Sequence, residues 1–249
     1  MFDIGKLINF CDIHHKCFFI IKNYLFLLWA KSERSIIKAL SFDQIEEIIS
    51  HVIKGRDPAG ILAIWDIDFV LLQPTEPAFA ASAVQSYMIS LVWLFGSLAP
   101  EKIDFVVARA ITSSASELME KKSSLIFNKI KETRINMIGA TAILLGANHP
   151  GSIKKWRLEE LKKHGICFES NLFSCDEQHQ GELKPFYSHA PCFEEGILFS
   201  NGEYGPHLKG EVLRHFFKKA TSLKTVIAID DNILMLKNIK KISENWTKI

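Results

Sequence analysis

Hydrophobic residues along the chain fall either in short unbroken runs or in stripes that recur every three or four residues. In the clearest run, residues 61–72, five apolar residues lead into Asp66 and Asp68 before the chain turns apolar again. An apolar run this short predicts a strand that is buried on both faces, as in a parallel sheet covered by helices. Ligands of open α/β sheets bind at the carboxyl ends of such strands. The two aspartates are therefore candidate ligand-binding residues, although an Asx turn that closes a strand uses the same residue type.

Two further apolar runs predict strands of the same kind. Residues 135–140 form one run, which leads into Thr141. Residues 225–229 form the other, which leads into Asp230 and Asp231. A hydroxyl in the first position is commonly a helix cap, and it is also a ligand donor. Each predicted strand therefore ends in polar side chains.

Stripes with helical spacing lie between the runs. One follows Ser41, which has the spacing of a capping box, and another begins at Lys209. Two shorter runs, residues 166–168 and 196–200, predict additional strands. This alternation predicts an α/β fold in which helices flank a parallel sheet. Lys209 lies in the first turn of its helix, where its charge opposes the helix macrodipole, so a bound anion explains it better than helix stability does.

The same pattern divides the chain into a core and two additions. Residues 41–74 and 132–249 carry the alternation of the core. Residues 75–131 are rich in Ala, Leu and aromatic residues without a turn-bounded strand, and we interpret them as a helical cap inserted behind Asp68, which either covers the site or packs against the side of the sheet. Residues 1–40 form an apolar N-terminal extension, for which a helix packed on the domain or on a partner is favoured.

The extension also bears on location in the cell. Lys22 and Asn23 split its apolar residues, and neither half reaches the roughly 20 residues of a membrane span. The run that ends near Ala30 is similar to the apolar part of a secretory signal, but Leu28 breaks the small-residue cleavage pattern. We expect a cytoplasmic protein, with export or membrane association of this segment as the alternatives.

Composition narrows the classes of function. The 249 residues carry a net charge of +2 and no basic block, which argues against a nucleic-acid partner. The five cysteines are scattered and odd in number, which favours reduced thiols over a disulfide framework. Cys11, His14, His15 and Cys17 are metal-binding residue types, but no second ligand pair with finger-like spacing follows them in the sequence. The pattern leaves the oligomeric state open.

The polar strand ends predict a common site, because the carboxyl ends of parallel strands meet at one edge of a sheet. Carboxylates brought together there raise one another's pKa unless a cation joins them. Oxygen-only donors suit Mg²⁺, and a hydroxyl with an ammonium group suits a phosphoryl group. The candidate residues are Asp66, Asp68, Thr141, Lys209, Asp230 and Asp231.

In order along the chain, these residues resemble the four motifs of the haloacid-dehalogenase-like (HAD) hydrolase superfamily. The first motif is Asp66-Ile67-Asp68-Phe69-Val70, the second is Thr141, the third is Lys209 and the fourth is Asp230-Asp231. The residues around Lys209 are also similar to a bacterial HAD subfamily of unknown function. The resemblance implies a three-layer Rossmann-like fold with a small helical cap after the first strand.

The resemblance further implies a role for each residue. Asp66 attacks phosphorus to form an aspartyl-phosphate, and Asp68 serves as the acid and the base. Thr141 donates to a phosphoryl oxygen, and Lys209 neutralises charge. Mg²⁺ is bound by the Asp66 carboxylate, the Asp68 backbone carbonyl and Asp231, while Asp230 acts through water or supports these ligands from behind.

The expected function is Mg²⁺-dependent hydrolysis of a small phosphorylated metabolite. A cap over the site favours such substrates, because it excludes bulky chains. Phosphotransfer to an acceptor other than water uses the same residues. A binding or effector module with a weak or vestigial hydrolase site is the alternative from another class, and Phe69, which stands where small or polar residues are frequent in the superfamily, keeps it open.

Overall fold

Most of the described chain forms one mixed α/β unit in which helices cover both faces of a sheet. The computed structural model describes residues 25–30, 35–76, 112, 114–143, 145, 153–169, 189–201, 209–217 and 222–246. Within them the strands are β1 (Leu25–Ala30), β2 (Ser35–Ala39), β3 (Ile61–Asp66), β4 (Leu72–Pro74), β5 (Ser116–Leu118), β6 (Asn136–Thr141), β7 (Cys192–Glu194), β8 (Ile197–Phe199) and β9 (Thr225–Asp230). The α-helices are α1 (Phe42–Ile53), α2 (Ser123–Glu132), α3 (Ile153–Lys163), α4 (Lys209–Phe217) and α5 (Ile233–Trp246).

The main sheet has seven strands in the order β2-β1-β9-β3-β6-β8-β7. Its four central strands, β9, β3, β6 and β8, are parallel. The outer strands are antiparallel to their neighbours: β1 and β2 at one edge of the sheet, and β7 at the other. The predicted α/β class with a parallel sheet is confirmed for the centre of the sheet, where the candidate site residues lie.

The two faces of β3 explain why its residues are apolar without interruption. Ile61, Ala63 and Trp65 point into a core cluster shared with α1, α2 and α3. Leu62 and Ile64 point into a second cluster shared with α4 and α5. Because successive side chains of a strand alternate between faces, a strand covered on both sides has no place for a polar residue before its end.

The start of α1 follows the predicted capping pattern. Ser41 is the N-cap, and its Oγ accepts a hydrogen bond from the Gln44 N–H at 3.3 Å. Gln44 reaches back, and its Oε1 accepts from the Leu40 N–H at 2.7 Å. The buried face of the helix is made of Phe42, Ile45, Ile49 and Val52, at helical spacing.

The predicted helix in the N-terminal extension is wrong over the residues that the structure describes. Residues 25–30 and 35–39 are the strands β1 and β2, and β1 joins the sheet along β9. A short apolar run fits a buried helix or a buried strand equally well, and hydrophobic periodicity cannot choose between them. Residues 1–24 and 31–34 lie outside the described residues. Among the described helices, none is long and apolar enough to cross a membrane.

The interpretation of residues 75–131 as one helical insertion also needs correction. Residues 116–118 form β5, which pairs with β4 in a separate antiparallel sheet. Helix α2 belongs to the core layer, since its Phe127 ring packs edge-on against Trp65 at a centroid distance of 5.7 Å. The predicted cover of the site falls on residues 77–111 and 113, which lie outside the described residues.

Residues 166–168 were predicted as a strand and are not one. Phe168 instead packs edge-on against Phe127, with ring centroids 5.0 Å apart. The strand that completes this side of the sheet is β7, which forms a hairpin with β8. Glu195 and Gly196, at φ values of 45° and 78°, make the tight turn.

Candidate functional site

Three neighbouring strands end in the predicted polar residues. Asp66 is the last residue of β3, Thr141 the last of β6 and Asp230 the last of β9. Strand β3 lies between the other two and is parallel to both. The carboxyl ends therefore lie side by side at one edge of the sheet, as the sequence predicted.

Lys209 joins two of these strand ends. It is the first residue of α4, and its side chain is 2% exposed. Its Nζ lies 2.7 Å from Oδ2 of Asp66 and 3.2 Å from Oδ2 of Asp230. A buried ammonium group is tolerated only with such partners, which explains a lysine at a helix start where the macrodipole opposes it.

Three carboxylates at this edge are close enough to share a cation. Asp66, Asp230 and Asp231 each offer an oxygen, and these oxygens lie within 4.8 Å of one another. The backbone holds one oxygen in each of two of these carboxylates. Asp66 Oδ1 accepts from the Ile67 N–H and Asp230 Oδ1 from the Asn232 N–H, both at 2.8 Å. Carboxylate oxygens fixed in this way fit a hard cation such as Mg²⁺.

The surroundings of Asp66 raise the pKa of its carboxyl well above the usual value. Burial is the largest cause, and the negative charge of Asp230 adds to it. The ammonium group of Lys209 opposes the rise, while Asp231 reinforces it. The single lysine charge therefore does not balance the carboxylates, and a bound cation would.

The Asp68 carboxylate faces a different set of groups. Its Oδ2 accepts a hydrogen bond from the Thr141 hydroxyl at 2.7 Å, and its Oδ1 forms an ion pair with Nη2 of Arg157. The Thr141 oxygen in turn accepts from the Ile143 N–H at 3.1 Å. The structure thus brings Asp68 and Thr141 together, and it places the Asp68 side chain outside the trio that Asp66 forms with Asp230 and Asp231.

Arg157 is a residue beside the candidate site that the sequence did not predict. It lies on α3, an amphipathic helix that buries Ile153 and Leu161. Arg157 lies between them at positions i+4 and i−4, on the apolar face of the helix. A charged residue on an apolar face is the signal that was available, because such a residue needs a buried partner. Only the fold identifies that partner as Asp68.

The loop after Asp68 is tightly folded. Phe69 has a φ of 62°, which is uncommon for a residue with a bulky side chain. Its N–H donates to the Leu72 carbonyl at 2.7 Å, and Val70 is buried. A strained residue held by surrounding contacts is typical of a functional loop. The departure from the expected motif at Phe69 thus places a bulky residue in a left-handed turn that a small residue would adopt with less strain.

The other metal-binding residue types singled out in the sequence, Cys11, His14, His15 and Cys17, lie outside the described residues. Cys167, which is described, is a half-buried free thiol.

Comparisons with known proteins correct the resemblance drawn from the motifs. No curated protein and no solved structure matches the chain. The family model that matches is not that of the HAD superfamily, so that identification is wrong. Its physical basis was weak, because carboxylates, a hydroxyl and a lysine at the carboxyl edge of a parallel sheet reflect what such an edge binds and not which family built it. The match extends over residues 41–248, and this chain therefore belongs to the family described as Protein of unknown function (DUF2608).

Proposed function

We propose that the protein is a Mg²⁺-dependent phosphatase that hydrolyses the monoester bond of a small phosphorylated metabolite. The observation that carries the proposal is the setting of Asp66, a buried carboxylate at the end of a central strand with Lys209 Nζ 2.7 Å away and two further carboxylates beside it. The arrangement of the parallel strands supports a Rossmann-like fold, in which this edge is the ligand-binding edge.

The charges at the site favour a cation and an anion together. Asp66, Asp230 and Asp231 would hold Mg²⁺, with the backbone carbonyl of Asp68 as a further ligand. When bound, the ion supplies positive charge against the phosphoryl oxygens. Lys209 adds an ammonium group to the same region, which suits a phosphate ester and does not suit an apolar substrate.

The side chains of this chain then divide the reaction between them. A carboxylate oxygen of Asp66 attacks phosphorus, the ester P–O bond breaks, and Asp68 donates a proton to the departing oxygen. Water next attacks the aspartyl-phosphate, Asp68 takes its proton, and inorganic phosphate leaves Asp66 free. Lys209 orients Asp66 throughout, and the Thr141 hydroxyl holds Asp68 or turns to a phosphoryl oxygen.

The test is release of phosphate from p-nitrophenyl phosphate and from a panel of alkyl phosphates, with and without Mg²⁺. Asp66→Asn is expected to lower the rate by about 10³-fold or more, since a carboxamide does not replace the nucleophile. Asp43→Asn is the matched control, because Asp43 is an exposed carboxylate paired with Lys122 at 2.9 Å. If wild type and Asp66→Asn are equally slow on every ester, the phosphatase proposal fails.

One observation favours a second candidate, a binding or effector module with weak or vestigial hydrolase activity. Both Asp68 oxygens already have partners, Thr141 and Arg157, and Phe69 beside it occupies a strained turn. Proton exchange with substrate would have to use the second lone pair of one of these oxygens, beside a donor that is already bound. This candidate predicts that calorimetry detects binding of a phosphonate analogue by wild type while no ester is turned over.

Phosphotransfer to an acceptor other than water is distinguished from hydrolysis by adding an alcohol to the assay and measuring the phosphorylated alcohol.

A further inference from the structure

We infer that Arg157 is a positioning residue that sets the orientation of the Asp68 carboxylate for proton transfer. The inference rests on the proposed phosphatase function and assigns a role to a residue of α3, outside the strand ends that form the rest of the site. It concerns the acid and base, and not the cation or the nucleophile.

Arg157 is itself held in place on several sides. Its side chain is 2% exposed. Its Cζ lies 4.5 Å from the centre of the Trp156 ring, in a cation–π contact. Its neighbours along the helix, Ile153 and Leu161, are buried in the core. A planar guanidinium held between an indole ring and a carboxylate has few orientations open to it, and this suits a group that positions another.

Asp68 is, by contrast, partly exposed, with 34% of its side chain accessible. Without partners, a carboxylate on a loop turns freely about its side-chain bonds. Here one oxygen accepts from Thr141 at the end of β6 and the other is paired with Arg157 of α3. Two donors from two separate elements fix both the direction and the plane of the carboxylate, and either donor alone fixes only one of them.

A direct contact between Arg157 and the phosphoryl group is the competing role. The geometry favours positioning, because the guanidinium is buried and the charge that it offers is already paired with Asp68. If Arg157 acts through Asp68, its loss slows only the hydrolysis of esters whose departing oxygen needs a proton. A residue that binds phosphate matters equally for every phosphate ester. This difference gives the experiment its readout.

The experiment compares kcat/KM for phenyl phosphate, whose departing oxygen needs a proton, with that for 2,4-dinitrophenyl phosphate, which leaves without one. Arg157→Met is expected to lower the value for phenyl phosphate by about 10- to 100-fold, the usual result of misplacing a reacting group by about 1 Å. For the dinitrophenyl ester the value should change little. Asp68→Asn should show the same selectivity between the two esters.

The double variant Arg157→Met/Asp68→Asn provides the second readout. If Arg157 acts through Asp68, the double variant is no slower on phenyl phosphate than Asp68→Asn alone. Losses that multiply, or an equal loss on both esters, would overturn the inference in favour of phosphate binding. Should Arg157→Met fold poorly, Arg157→Lys keeps the charge without the planar fork and should show the same selectivity with a smaller loss.

Glu160→Gln is the matched control for disturbance of α3. Glu160 lies one turn after Arg157 and is also buried, but its partners are the Ser116 N–H, at 3.1 Å, and Lys163. Glu160→Gln should leave the ratio of the kcat/KM values for the two esters unchanged. Failure of the inference and failure of the proposed function are distinguishable. If wild type is no faster than Asp66→Asn, both the proposed function and the role of Arg157 are wrong. If wild type is active and Arg157→Met is equally fast on phenyl phosphate, only the role of Arg157 is wrong.

Discussion

The carboxylate of Asp66 is buried and has two negative charges beside it. Burial raises its pKa, and Asp230 and Asp231 raise it further, against the opposing effect of Lys209. A group whose pKa is higher in the folded chain than in the unfolded one stabilises the fold at low pH. That contribution is lost as the pH rises from the ordinary aspartate range through the raised value.

Asp66→Asn is therefore expected to stabilise the metal-free protein at neutral pH. An amide has no charge to repel Asp230 and Asp231, and Lys209 keeps Asp230 as a partner at 3.2 Å. The melting temperature should rise by about 2–4 °C, the shift that about 1 kcal/mol gives a chain of this size. At acidic pH, where the wild-type carboxyl is protonated, the difference should vanish. Thermal unfolding across a pH series in the presence of a chelator measures it.

Asp43→Asn is the control for this comparison as well, because its carboxylate is exposed and paired with Lys122. It should leave the shape of the curve of melting temperature against pH unchanged. A metal-free Asp66→Asn protein that is less stable than wild type at neutral pH would show that the ion pair with Lys209 outweighs burial and repulsion.

For individual residues, the sequence predicted which side chains lie at the site better than it predicted which groups they contact. The polar residues at the ends of apolar runs predicted Asp66, Thr141 and Asp230 at one edge, because parallel strands leave no other arrangement. Which group contacts which was not predictable. The partners of Asp68 come from β6 and α3, far apart in the chain, and the sequence of α3 contains no information on what its buried arginine contacts.

Among the elements, the segment that carries Phe168 packs unusually close to two strands. A Cβ added at Gly139 on β6 would lie 2.8 Å from Cε2 of Phe168 and 3.2 Å from side-chain atoms of Ile197 and Ile67. A Cβ at Gly196, in the turn before β8, would lie 2.9 Å from backbone atoms of Phe168. The two glycines thus provide the space in which this non-strand segment packs.

Gly139→Ala is expected to destabilise the protein by about 1–3 kcal/mol, the usual cost of overpacking a filled core. The neighbours in contact are a ring and two isoleucines, all buried, so none has room to withdraw. Because Gly139 lies two residues before Thr141, the change should also disturb the contact between Thr141 and Asp68. Urea unfolding measures the first effect, and phosphatase activity the second.

Gly60→Ala is the matched control, since its added Cβ would meet only the flexible Lys224 side chain, at 3.6 Å. It should change the unfolding free energy by less than about 0.5 kcal/mol. Equal destabilisation by the two substitutions would indicate loss of backbone freedom and not overpacking at Gly139.

The elements themselves were predictable where two signals agreed. Strands β3, β6 and β9 combine an unbroken apolar run with a polar end, and α1 combines a stripe with the Ser41 cap. Strand β1 offered an apolar run alone, which is equally consistent with a helix, and β2, interrupted by Lys38, offered no unbroken run. Residues 166–168 also offered only a run, and tertiary packing of Phe168 against Phe127 outweighed any strand preference.

For the molecule as a whole, the sheet extends beyond the region shared with the family. The family match begins at residue 41, whereas β1 and β2 precede it and β1 pairs with β9 from Phe26↔Asp230 to Ala30↔Val226. Strand β9 would be an edge of the sheet without them. An exposed edge strand with an apolar sequence such as that of β9 promotes pairing with other chains.

A fragment of residues 41–249 is accordingly expected to self-associate and to unfold at a lower temperature than the full chain. Light scattering over a range of concentrations and thermal unfolding measure these two effects. A fragment of residues 25–249 keeps both strands and is the control, which should behave as the full chain does. A fragment 41–249 that is as monomeric and as stable as the control would show that β9 does not need this cover.

The cation proposed for the site should be visible as a gain in stability of the whole molecule. An ion that binds the folded chain alone adds about 2.7 kcal/mol at a concentration 100 times its dissociation constant. For a chain of this size this raises the melting temperature by about 5–10 °C. Asp231→Asn removes one of the three clustered carboxylates and should abolish most of the gain, while Asp43→Asn should keep it. NaCl at matched ionic strength is the control that separates Mg²⁺ binding from charge screening. If NaCl raises the melting temperature equally, or if Asp231→Asn keeps the full rise with Mg²⁺, no cation binds among these three residues.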